Sequence, residues 1–162
     1  TLFRSVVFGA LLCYTNQNLH HYDLDLKYDH VKLEQRIKVC AVVMHQVCHR
    51  FNDGEQAFTP KDIHEVTKIP QQIINHAVKE LLQAKLLVEI RSEKKGSFEE
   101  SIILHPIEKI DHLTYGAMIE RLFTYGADVV GLAEQNPDWE KWKDIDVLNA
   151  EFVESGKSIN FV

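Results

Sequence analysis

The chain reads as a mainly α domain with a small β-hairpin, a winged helix-turn-helix preceded by the end of a truncated transmembrane helix. Three observations predict this. Apolar residues recur at 3–4 spacing from residue 33 to 51, two short helices joined by a tight turn follow, and two strand-like runs then flank a polar turn. The order helix, helix-turn-helix, hairpin is that of a winged helix. With 45% hydrophobic and 26% charged residues over 162 positions, the composition is that of a globular protein. It excludes wholesale disorder and a disulfide scaffold, and three cysteines give no paired framework.

Residues 1–5, Thr1-Leu2-Phe3-Arg4-Ser5, read as the translated end of a sequencing adaptor, a scar to be set aside, with a native stretch as the alternative. No Met stands at position 1, so the chain is read as a piece of a longer one. Residues 6–16 open on the uncharged run Val6 to Tyr14, apolar on every face, which suits lipid or a deep core. Leu2 to Tyr14 would make about 20 Å of helix, short of a ~30 Å hydrocarbon layer, hence the end of a longer membrane helix. Residues 17–29 are polar and mixed and read as a linker; His20, His21, Asp23 and Asp25 within it could bind a cation.

Residues 30–125 are the expected winged-helix domain. Leu33, Ile37, Cys40, Met44, Val47 and Phe51 form one helical stripe, with Asp29 as its cap and Asn52-Asp53-Gly54 as its end. Thr59-Pro60-Lys61-Asp62 combines an N-cap Thr, Pro at the first helical position and an acid at the third, starting a helix to about Val66. Pro70 opens a second helix, to Gln83, with Ile73, Ile74, Ala77, Val78, Leu81 and Leu82 inward. Leu86–Arg91 and Phe98–His105 are the strands, and a further helix runs from about Thr114 to Tyr125. Cys40, Met44, Val47 and Phe51 are expected to share a core with Ile74, Ala77, Leu81 and Val88. Residues 126–162 form an acidic tail, in which Trp139 and Trp142 with Ile145 look like an anchor for a C-terminal helix, on the domain or on a partner.

Charge is unevenly placed. Residues 59–105 hold 7 basic and 7 acidic side chains, whereas residues 106–162 hold 5 and 11, which accounts for the whole net charge of −6. The second helix of the pair presents Gln71, Gln72, Asn75, His76 and Lys79 as a possible contact surface. Gln and Asn match adenine edges, but few Lys or Arg stand by for phosphates. A solvated polar face is the plainer reading, and the balance argues against nucleic acid as a partner.

Catalytic chemistry is hard to find. His45, Cys48 and His49 lie at metal-binding spacing on one helix, but Gln46 stands where a metalloprotease has its Glu, and Cys48 sits beside the buried stripe. They are weak metal candidates. No phosphate-binding Gly loop, nucleophile elbow or paired Cys motif is present, and the reading assigns no catalytic residue and no cofactor.

Phe8-Gly9-Ala10-Leu11-Leu12-Cys13-Tyr14-Thr15-Asn16-Gln17-Asn18 resembles the end of the last transmembrane helix of the YihY/BrkB family of bacterial inner-membrane proteins. Leu11 stands where members commonly have Glu. Thr59-Pro60, Ile69-Pro70, Leu81-Leu82 and Leu86-Leu87-Val88 resemble the winged-helix-like extension of some members. The resemblance implies a location at the inner membrane with this part cytoplasmic, contact with the membrane through a missing N-terminal part, and the family label ribonuclease BN. The leading expectation is therefore a non-catalytic interaction or regulatory module of such a protein, its protein partner unnamed. The alternatives are a winged-helix DNA-binding regulator and, by family label only, a tRNA-processing ribonuclease.

Overall fold

The computed structural model describes residues 7–8, 31–93, 100–126 and 143–162. Contacts divide the chain into two units, residues 1–32 and 33–162. In the first, Val7 and Phe8 are helical and exposed. The rest of the 6–16 segment, the 17–29 linker with its His and Asp residues, and the two tryptophans lie outside the described residues.

The second unit is mainly α with one two-stranded antiparallel sheet. Helix α1 (Leu33–Asn52) buries Cys40, Val43, Met44, Val47 and Cys48. The ends of its stripe stay outside the core: Leu33 is 64% and Phe51 48% exposed. A 20-residue helix spans about 30 Å, longer than the elements that cover it. Phe51 instead meets the His105 ring edge to face at 5.6 Å.

Helices α2 (Pro60–Thr67) and α3 (Gln71–Gln83) form the helix-turn-helix pair. Ile63 of α2 and Ile74, Ala77 and Leu81 of α3 are fully buried in the same core as α1. Beyond α3, Lys85 takes the left-handed conformation, φ 56°. Its N–H donates to Leu82 O at 3.1 Å, and Leu86 N–H donates to Leu81 O at 2.9 Å, closing the helix end. That turn drives Leu86 and Leu87 inward and leaves Val88, expected in the core, 38% exposed.

Strands β1 (Leu87–Glu93) and β2 (Glu100–Pro106) pair from Leu87↔Pro106 to Glu93↔Glu100. Leu104 faces the core, and its N–H donates to Phe58 O at 2.9 Å, tying the wing to the segment before α2. A 3-10 turn (Ile110–His112) leads into α4 (Tyr115–Thr124), capped by the Thr114 hydroxyl accepting from Ala117 N–H.

Within the acidic C-terminal segment, α5 (Lys143–Gly156) lies against α4. The crossing is backbone on backbone: a Cβ on Gly116 would stand 2.4 Å from Val153 O, and one on Gly156 would stand 2.8 Å from Gly116 N. After α5 the chain returns to the core. Tyr115 N–H donates to Ile159 O at 2.8 Å, Asn160 bridges Thr114, and Phe161 is buried. No helix among the described residues is long and apolar enough to cross a membrane, and most of the segment expected to do so, residues 6–16, lies outside them.

Candidate nucleic-acid interface

The angle between α2 and α3 is fixed by local hydrogen bonds. Thr59 and Asp62 form a capping box: Asp62 N–H donates to Thr59 Oγ1 at 3.2 Å, and Thr59 N–H donates to Asp62 Oδ2 at 2.8 Å. At the other end Lys68 adopts φ 61°, and its N–H donates to His64 O at 2.8 Å. The Thr67 hydroxyl donates to Ile63 O at 2.7 Å and accepts from Ile69 N–H at 3.3 Å. His64 Nδ1 lies 2.6 Å from Ile69 O. Pro70 O then accepts from Ile73 and Ile74, starting α3.

Because α3 buries Ile73, Ile74, Ala77, Val78 and Leu81, its other face must carry the polar residues. Gln72, Asn75, His76 and Lys79 are exposed there, and Gln71 is half-buried with its Nε2 donating to Asn75 Oδ1 at 2.8 Å. All five residues of the expected contact surface therefore fall on the outer side of one helix. A groove of about 800 Å³ brings Gln71, Asn75 and Lys79 together with Lys61 of α2 and Glu89 and Ile102 of the wing.

Cations that sequence reasoning did not single out stand on the elements next to α3, and Lys61 lines the same groove. Lys61 sits in the first turn of α2, Lys68 in the turn, Lys85 just past α3 and Arg91 on β1, all exposed. Two of the carboxylates that balanced them in the sequence are engaged elsewhere. Asp62 caps α2, and Glu80 accepts from Arg36 Nη2 of α1 at 2.5 Å. The pairing signal was absent from the sequence, because Arg36 and Glu80 are 44 residues apart.

The metal candidates are not brought together. The His45 and His49 rings lie 5.7 Å apart at their centroids, but Cys48 is fully buried on the inner side of α1. His45 Nδ1 is 2.8 Å from Phe161 O, and His49 Nδ1 is 2.8 Å from Asp53 Oδ2. Among the described residues no group of three His, Cys, Asp or Glu could hold a metal. Cys40 and Cys48 are both free and buried. Burial, then the adjacent Glu80 carboxylate, pushes the Cys40 thiol up to about 12, and burial pushes Cys48 up to about 11. Burial and the raised pKa both disfavour the reactive thiolate.

No family model matches the chain, and no curated protein matches it. Solved structures do. The chain is similar to CymR (YrzC), described as the global cysteine regulator of B. subtilis, with a TM-score of 0.53 and 15% identity over 81% of this chain and 93% of that one. It has a CymR-like fold. The oxidized form of Staphylococcus aureus CymR is similar at a TM-score of 0.50 and 15% identity, again over 81% and 93% of the two chains. At this identity the likeness concerns the fold.

That likeness overturns the YihY/BrkB reading. The correspondence takes in 93% of the CymR chain, so the fold here is CymR-like rather than that of a membrane protein's extension. The inner-membrane location, the membrane as partner, the interaction-module role and the ribonuclease BN label go with it. The resemblance had rested on short apolar and Pro-containing runs, which any buried helix or helix start also shows. The expected exclusion of nucleic acid is corrected too: the neutral charge of residues 59–105 includes Asp62 and Glu80, which this fold commits to a cap and to a pair with Arg36 of α1.

Proposed function

We propose that this chain is a winged-helix DNA-binding transcriptional regulator. The observation that carries the reading is the α3 face: Gln72, Asn75, His76 and Lys79 stand exposed on the second helix of a helix-turn-helix whose opposite side is core. In such units the second helix enters the major groove, whose width admits one α-helix. The CymR-like arrangement supports it, and so do the exposed cations Lys61, Lys68, Lys85 and Arg91, placed for phosphate contacts on the elements that flank α3. The acidic excess lies in the C-terminal part of the chain, away in sequence from these elements.

Binding to random duplex, followed by fluorescence anisotropy across a salt series, tests the proposal. The expected outcome is affinity that falls with a log–log slope of about −0.9 per phosphate contact. Lys79→Ala should reduce that slope by about 1. A chain that shows no salt-dependent duplex binding at roughly 50 mM salt defeats the reading.

A further inference from the structure

Resting on that reading, we infer that Asn75 reads an adenine and that Gln71 is the residue that sets its amide for the task. The first two turns of α3 expose Gln72, Asn75 and His76 and contain no Arg, Lys, Asp or Glu. In the major groove guanine is matched by the two parallel donors of Arg or Lys, cytosine by a carboxylate, and adenine by an amide. Of these three chemistries, only the amide is present where a recognition helix meets base edges. The first cation on α3 is Lys79, a full turn beyond Asn75, and the first carboxylate is Glu80, which accepts from Arg36.

The Gln71–Asn75 hydrogen bond distinguishes Asn75 from the other amides. Gln71 Nε2 donates to Asn75 Oδ1 at 2.8 Å. An amide oxygen accepts twice, so one lone pair remains for the adenine N6–H, while the Asn75 NH₂ keeps both protons, one of them for adenine N7. Reversing the Asn75 amide alone would place NH₂ against NH₂ and lose this bond; the bond returns only if Gln71 reverses with it. As oriented here, Gln71 holds Asn75 in the arrangement that adenine needs, so part of the ordering of that side chain precedes binding.

The test is selection from a randomised duplex library with the full chain, at one fixed salt concentration. Base preference is then measured position by position for the wild type, Asn75→Ala, Gln71→Ala and Gln71→Lys. The wild type should enrich an A·T pair at one position and bind it roughly 5- to 150-fold better than a G·C replacement, the range for one bidentate amide–adenine pair. Asn75→Ala should lose that preference at that position alone, with the salt slope unchanged. Gln71→Ala should weaken it, and Gln71→Lys, which restores a donor to Asn75 Oδ1, should recover it. Circular dichroism establishes that each variant is folded, and a separate salt series on Asn75→Ala and Gln71→Ala establishes that the phosphate contacts persist. Duplex binding without adenine preference, or a preference that survives Asn75→Ala, overturns this inference and leaves the DNA-binding reading intact. Failure of the wild type to bind any duplex overturns both.

Discussion

Helices α3 and α5 have 13 and 14 residues, and both carry apolar side chains, yet they are held in different ways. α3 buries Ile73, Ile74, Ala77, Val78 and Leu81, whereas α5 buries Gly156 alone. Ile145, Val147, Leu148 and Phe152 of α5 are each 42% exposed or more. α3 is held by buried apolar area. α5 is held by close backbone fit at Gly116 and Gly156, by Phe152 stacked on Phe123 at 6.3 Å, and by the returning segment that buries Phe161. Attachment by area tolerates small adjustments of side chains, while attachment by backbone contact does not. The two helices should therefore fail differently.

The largest effect is expected at α3. Leu81→Ala removes a fully buried side chain at the centre of the core shared with α1, and should cost about 2–5 kcal/mol. Urea denaturation checks it. A loss below about 0.5 kcal/mol would place Leu81 among surface positions and undo the contrast.

At α5 the sensitive position is a glycine. Gly116→Ala sets a methyl group against the Val153 carbonyl and the Lys157 amide, both backbone, so α5 has to move. The expected cost is about 1–3 kcal/mol. Hydrogen exchange should locate it, with protection falling over residues 143–161 and unchanged in α1 and α3. Equal loss across α1, α3 and α5 would mean that the two attachments unfold as one unit.

How much of this was legible follows the same division. The side attached by area could be read from the sequence: the α1 stripe, the Thr59–Asp62 start of α2, the buried positions of α3 and the hairpin all appear in the structure. So does the polar outer face of α3, since whatever lies opposite a buried stripe is exposed. Val88, expected in the core from the helix-turn-helix order, points outward because the left-handed turn at Lys85 sets the phase of β1, and a Lys does not announce that turn. The fit of Gly116 to Gly156 left no periodic signal. The cations around α3 were visible but were cancelled in a sum, since nothing in sequence shows that Glu80 belongs to Arg36.

A third expectation concerns the core at high pH. Cys40 and Cys48 hold their protons in the folded state up to about 12 and about 11, while thiols in the unfolded chain ionise near the ordinary value of 9.0. Between these values the unfolded state binds fewer protons than the folded one, so stability falls as pH rises. It should be fully present below about pH 9 and decline above it. Urea midpoints from pH 8 to 11 measure this, and Cys40→Ala should flatten the decline. If that variant follows the wild-type curve, Cys40 does not sit in the apolar interface between α1 and α3.

The smallest effect is expected where α3 ends. Lys85 occupies the left-handed region at φ 56°, which costs an L-residue roughly 1–2 kcal/mol. Glycine has no such cost but gives up about 0.5–1 kcal/mol more chain entropy on folding. Lys85→Gly should therefore raise stability by about 0–1.5 kcal/mol. Its backbone bonds, from Lys85 N–H to Leu82 O and from Arg121 Nη1 to Lys85 O, need no side chain and should persist. The substitution also removes an exposed cation beside α3, so the duplex salt slope should become shallower while the midpoint rises. Opposite movement of the two readouts at one residue separates the helix end as a structural element from its charge as a phosphate contact. A gain in stability with an unchanged slope would remove Lys85 from the nucleic-acid face and leave Lys61, Lys68, Lys79 and Arg91 to carry it.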